Sequence, residues 1–200
     1  MAFKLQLAVF ALTALMPLTA AAQANCPTRS MLEGDGIKFQ SGLSDEEIHR
    51  LAPNGTIIQD IDFGGDKSQN ILAYGVHVLQ LADIVDGKID QGAVWRYVFD
   101  VDIAALPEPT PNGTWSAQST QFFVNEPTPE VVKHRWGPLV QYSIGDCTLD
   151  AIHVSVSYDG REFDYTEEAM YFPNLGTAIL TAYIGEDGRE DYTYTSIGSP

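Results

Sequence analysis

Basic residues and cysteines are the two scarcities of this chain. Lys and Arg number 11 against 27 Asp and Glu, a formal net charge of −16 at pH 7. A surface so poor in cations repels phosphate backbones and anionic bilayers, and the aromatic residues have no basic interleaving, which argues against nucleic acid as a partner. The acids are scattered rather than in runs, as on a solvated surface. Cys26 and Cys147 are the only cysteines, and no Cys-x-x-Cys pair marks a redox motif. The four histidines, His49, His77, His134 and His153, lack the His-x-His and His-Glu-x-x-His spacings of zinc sites. A Gly-x-Ser-x-Gly elbow and a phosphate-cradling glycine loop are also missing. No catalytic, cofactor-binding or metal residue is therefore assigned, and the chain is not expected to be an enzyme.

Long apolar runs are absent after Leu18, so no helical membrane span is expected in the rest of the chain. What precedes Leu18 has the form of an address. Lys4 supplies a positive start, Leu5 to Leu18 is an uncharged apolar run, and Ala22 and Ala24 are the small residues a signal peptidase reads. Residues 1–24 are expected to be a secretory signal, and 25–200 a single β-rich domain of the periplasm. Asn25, directly before Cys26, argues against a lipid-attachment site there. With Lys4 removed, 10 bases face 27 acids. In an oxidising compartment the even cysteine pair reads as a Cys26–Cys147 disulfide.

Hydrophobic residues recur with period 2. Trp95, Tyr97, Phe99, Val101 and Ile103 share one face of a run, with Val94, Arg96, Val98, Asp100 and Asp102 on the other. Ile152, Val154, Val156 and Tyr158 alternate with His153, Ser155 and Ser157, and Ile57, Ile61 and Phe63 oppose Asp60 and Asp62. Further aromatic and β-branched runs cover 74–81, 114–124, 131–143, 163–172, 177–184 and 192–197. Asn54-Gly55, Asp86-Gly87, Asn112-Gly113, Asp159-Gly160 and Asp187-Gly188 are tight-turn dipeptides. Ser44 and Glu47 form a capping-box pattern for a short helix to Leu51, in competition with a strand into the Asn54-Gly55 turn. The fold class is all-β with little helix: a single curved antiparallel meander sheet or open barrel of roughly ten strands.

Weak chemical motifs remain. Asp60, Asp62 and Asp66 gather near Gly64-Gly65 without the register of a calcium loop. Glu167-Glu168 is an adjacent carboxylate pair of the kind a glycosidase uses, in a chain where acids are abundant enough for chance pairs. Excess aromatics on a curved sheet can also enclose a ligand, and Trp95, Tyr97 and Phe99 are the candidate ligand-binding residues.

Asn25-Cys26-Pro27-Thr28, Gly36-Ile37-Lys38-Phe39, Cys147 ahead of a Val-rich strand, and Tyr171-Phe172-Pro173-Asn174-Leu175-Gly176 form a series of landmarks. With them the chain resembles exported β-rich proteins of alphaproteobacteria, a group without an assigned activity. The resemblance implies a disulfide and an antiparallel meander, and no chemistry. The expected function is a non-catalytic periplasmic binding or interaction protein, holding an apolar small molecule or an envelope protein on its curved sheet. The alternatives are a secreted hydrolase whose site is assembled from distant residues, and a purely structural exported protein. The hydrolase requires His77, His134 or His153 to meet a Ser or carboxylate within about 3 Å.

Overall fold

Alternating burial converts the period-2 runs into strands, and glycine or Asx turns fold them back on one another. The computed structural model describes residues 26–42, 44–160 and 165–200. The expected leader lies outside the described residues, as do Arg161 and Glu162 of the Asp159-Gly160 turn and the start of the run from Phe163.

The strands are β1 (Ile37–Ser41), β2 (Asp45–Leu51), β3 (Ile57–Phe63), β4 (Asp66–Ala73), β5 (His77–Val85), β6 (Lys88–Phe99) and β7 (Thr114–Phe123). There follow β8 (Glu126–Ile144), β9 (Cys147–Asp159), β10 (Tyr165–Phe172), β11 (Thr177–Gly185), β12 (Gly188–Asp191) and β13 (Tyr194–Gly198). The only helical pieces described are two single turns of 3-10 helix, Arg29–Met31 and Ile103–Ala105. All 13 strands form one antiparallel sheet, with β1 to β12 in sequence order. β13 returns to the far edge, where Phe39 pairs with Ile197. The sheet is thus a meander that coils without closing, with 13 strands rather than ten.

The structure decides one open alternative and corrects three sequence expectations. Of the helix and strand alternatives after Ser44, the strand forms, from Asp45: Glu47 and His49 point inward and Asp45 to Leu51 pairs with β1 and β3. The run 74–81 begins with a turn, since Tyr74 and Gly75 both have positive φ, and the strand starts at His77. β6 stops at Phe99, so Val101 and Ile103 leave the apolar face and lie 38% and 51% exposed in the loop to β7. Asp86-Gly87 does make the expected tight hairpin, with positive φ at both residues, as a type I′ turn requires. Asn112-Gly113 instead ends the long β6–β7 loop, where Asn112 N–H donates to Gly137 O at 2.8 Å.

The coil buries the middle strands on both faces. Neighbouring residues of a strand point to opposite sides. Ala151, Phe172 and Ile179 pack with Leu32, Phe39 and Tyr194, whereas Ile152, Tyr171 and Ala178 pack with Val76, Val132 and Trp136. Cys26 and Cys147 are bonded, with Cα atoms 5.4 Å apart and a sequence separation of 121. A loop of that length is worth about 4–5 kcal/mol in the chain-entropy picture. Such a bond belongs to a non-reducing compartment. No described helix is long and apolar enough to cross a membrane.

Candidate functional site

The coil leaves a cleft between β4–β6 on one side and β10–β11 on the other. Leu81 pairs with Trp95 and Gln121 with Tyr97, which sets these side chains on one wall. Glu167 pairs with Tyr183, and Tyr165 is stacked between Tyr158 and Tyr183 at centroid distances of 4.6 and 5.3 Å, which builds the other. The cleft holds about 470 Å³, with Trp95, Tyr97, Tyr165 and Tyr183 among its aromatic lining and Asn70, Asp83, Gln121 and Glu167 among its polar lining. It continues inward through Asn70, Leu81 and Glu167 to a recess of about 90 Å³ walled by Leu72, Val78 and Ala178.

Two of the three candidate ligand residues, Trp95 and Tyr97, therefore face this space. Phe99 does not line it: the ring packs 6.3 Å from His77 and 5.8 Å from Trp115. Sequence reasoning missed Asn70, Tyr165, Glu167 and Tyr183 as lining residues. Glu167 and Glu168 do not act as a pair, because adjacent strand residues face opposite ways. Glu167 turns into the cleft, while Glu168 sits outside and accepts from Arg189 Nη2 at 2.8 Å. Tyr158 Oη donates to Glu167 Oε2 at 3.0 Å. Burial, then the Glu167 charge, pushes the Tyr158 phenol well above its usual range, so it remains a donor.

Beside the cleft lies a pair of buried imidazoles. His77 and His134 are 4.5 Å apart, with Trp115 packed 4.9 and 5.3 Å from them. His77 Nε2–H donates to Pro107 O at 2.8 Å, which leaves Nδ1 as a buried lone pair without a partner. Among the described residues, neither ring nitrogen of His134 has a hydrogen-bond partner. Burial lowers the His77 imidazole to about 4, against the opposing hydrogen bond to Pro107. Burial, and then the neighbouring His77, holds His134 well below its usual value. Both rings are neutral near pH 7.

A second buried polar group joins β2, β3, β11 and β13. Glu47 accepts from His49 Nε2 at 2.9 Å, from Gln59 Nε2 at 2.6 Å and from Tyr194 Oη. His49 Nδ1 lies 2.8 Å from Thr177 Oγ1. Burial raises the Glu47 carboxyl, but these hydrogen bonds and the His49 charge outweigh it and hold the group below its usual value. The order hydroxyl, imidazole, carboxylate is that of a nucleophile relay. Thr177 and His49 are both 0% exposed, however, so this hydroxyl cannot meet a substrate.

The hydrolase geometry expected of His77, His134 or His153 does not form. Among the described residues, His77 and His134 meet neither a Ser nor a carboxylate through their nitrogens, and His153 only approaches Glu168, at 3.5 Å on the surface. Asp60 and Asp62 are engaged by Arg50 and Lys67. No three His, Cys, Asp or Glu side chains among the described residues converge as metal ligands. A shallow outer trough of about 780 Å³ carries Lys133 and Arg135, but Lys133 is ion-paired with Asp159. No protein-family model, curated protein or solved structure matches the chain.

Proposed function

We propose that the chain is a non-catalytic binding protein of the periplasm that holds a small molecule in the cleft between β4–β6 and β10–β11. One observation carries this reading: Trp95 and Tyr97 oppose Tyr165 and Tyr183 across a space of about 470 Å³ that narrows into an apolar recess. The lining mixes aromatic and polar side chains in near-equal measure, and pockets of that size, with apolar faces beside placed polar groups, are what small ligands occupy. The polar lining of Asn70, Gln121 and Glu167 alters the purely apolar ligand expected from sequence. A molecule with a flat or aliphatic body and a polar group suits these walls better. The disulfide supports an exported setting, and the leader-like residues 1–24 refine it to the periplasm.

Native mass spectrometry of the protein purified from a periplasmic extract tests the reading. A co-purifying species that is released on denaturation, and that is lost from a Trp95→Ala/Tyr183→Ala variant, is the expected result. A species retained equally by that variant would place binding elsewhere. A bare mass, together with no melting-temperature change across a metabolite panel, would count against the cleft as a binding site.

A further inference from the structure

We infer that the cleft selects organic cations, specifically a small ammonium carried on a flat or short apolar body. The inference rests on the cleft being the binding site and adds the charge of its ligand.

The polarity of the cleft wall is set from the buried network. An ionised carboxylate only accepts hydrogen bonds. Gln59 must therefore present its amide nitrogen to Glu47, which it does at 2.6 Å. Its carbonyl is then left to accept from Asn70 Nδ2 at 2.9 Å. That contact fixes the Asn70 amide in turn, which leaves Oδ1 as an acceptor beside the second Nδ2 hydrogen on a residue that lines the cleft. Glu47 thus orients, through two amides, a carbonyl oxygen that lies on the wall shared by the cleft and its recess.

The other charged groups have the same sense. Asp83 and Glu167 line the cleft, and no Lys, Arg or His is among its described lining residues. Tyr165 has both faces covered by Tyr158 and Tyr183, and Trp95 has one covered by Phe123; the uncovered faces of the lining rings Trp95, Tyr97 and Tyr183 carry negative quadrupole potential and attract a cation within about 6 Å of a ring centroid. The field of the whole molecule, at a formal −16, favours the approach of cations and opposes anions. Acceptors, rings and net charge all call for a ligand that donates hydrogen bonds and carries positive charge.

A matched probe series separates charge from shape. Benzylamine, benzyl alcohol and benzoate share one ring and differ in the group it bears. Binding to the disulfide-intact protein at pH 7, where the amine is protonated, is followed by ligand-observed NMR and calorimetry. Benzylamine should bind at least tenfold more tightly than benzyl alcohol, with benzoate weakest. Asp83→Asn and Glu167→Gln should each weaken benzylamine about three- to tenfold and leave benzyl alcohol unchanged. Asp83 is solvent-exposed, so its variant keeps the test alive if Glu167→Gln perturbs the fold. Benzyl alcohol or benzoate binding as tightly as benzylamine would overturn the cation inference and leave the cleft reading standing. No binding by any probe would overturn both.

Discussion

His49 and Thr177 lie 128 residues apart in sequence and 2.8 Å apart in the fold, each without solvent exposure. Their contact links β2 to β11, strands far apart in the sheet order that the coil brings together. The imidazole is held from its other side by Glu47, so its orientation is determined at both nitrogens. Tyr194 ties the returning strand β13 to the same carboxylate. The meander consequently carries a polar clasp at its centre as well as a disulfide near its N-terminal side.

Thr177→Val keeps the shape of the side chain and removes the hydroxyl. It leaves His49 Nδ1 buried and unpaired, at a cost of about 1–3 kcal/mol. Urea denaturation with the disulfide intact should show the lower midpoint with an unchanged slope. Glu47→Gln should cost more, about 3 kcal/mol or above, because it removes the buried charge and sets an amide NH2 against donors that one carboxylate oxygen had accepted from. A midpoint for Thr177→Val equal to wild type would mean that the clasp contributes nothing.

Acid should open the molecule through its buried histidines. An unfolded imidazole titrates near 6.5, whereas His77 is lowered to about 4 and His134 is held well below 6.5. A group whose folded value is depressed contributes stability that is fully present above 6.5 and is lost as pH falls through the folded value. For His77 the contribution is on the order of 3 kcal/mol above pH 6.5. The lowered Glu47 carboxyl adds a loss of the same sign below its usual titration range. Thermal melts should therefore fall steadily from pH 6.5 to 4. His134→Phe removes two unpartnered ring nitrogens from an aromatic pocket and should flatten that dependence, with a higher melting temperature than wild type at pH 5. A steeper dependence in His134→Phe would refute the account.

The strands that alternated apolar and polar residues were legible in the sequence, and so were the inward positions of Trp95 and Tyr97. β2 was not, because its inward residues are Glu47 and His49, and a buried polar pair inverts the pattern by which a core face is recognised. Ser44 and Glu47 also offered a local helix cap, which tertiary pairing with β1 and β3 overrode. β4 was hidden for a related reason: Asp66 to Asn70 is polar throughout, and its buried positions begin only at Leu72. The cleft was half visible. Its β6 wall follows from alternation, whereas the Glu167 and Tyr183 wall arrives from about 70 residues away by the coiling of the sheet, a distance no local period encodes.

The turn between β4 and β5 supplies the sharpest test of that coiling. Gly75 has φ +71, and a Cβ there would stand 2.5 Å from the Ala178 backbone nitrogen and 2.9 Å from Thr177 Oγ1. Gly55 has φ +84, with nothing within 4 Å of the same virtual atom. Both positions charge alanine for left-handed backbone, about 1–2 kcal/mol. Only Gly75→Ala must also push β5 away from β11, and backbone at 2.5 Å cannot yield as a flexible side chain would. Gly55→Ala should lower the denaturation midpoint by the strain alone, and Gly75→Ala by at least a further 2 kcal/mol on the scale of overpacked cores. Because Gly75 also lines the inner recess, its alanine variant should weaken cleft ligands where the Gly55 variant does not. Equal losses in the two variants would mean that the β4–β5 turn does not seat against β11 as tightly as the structure has it.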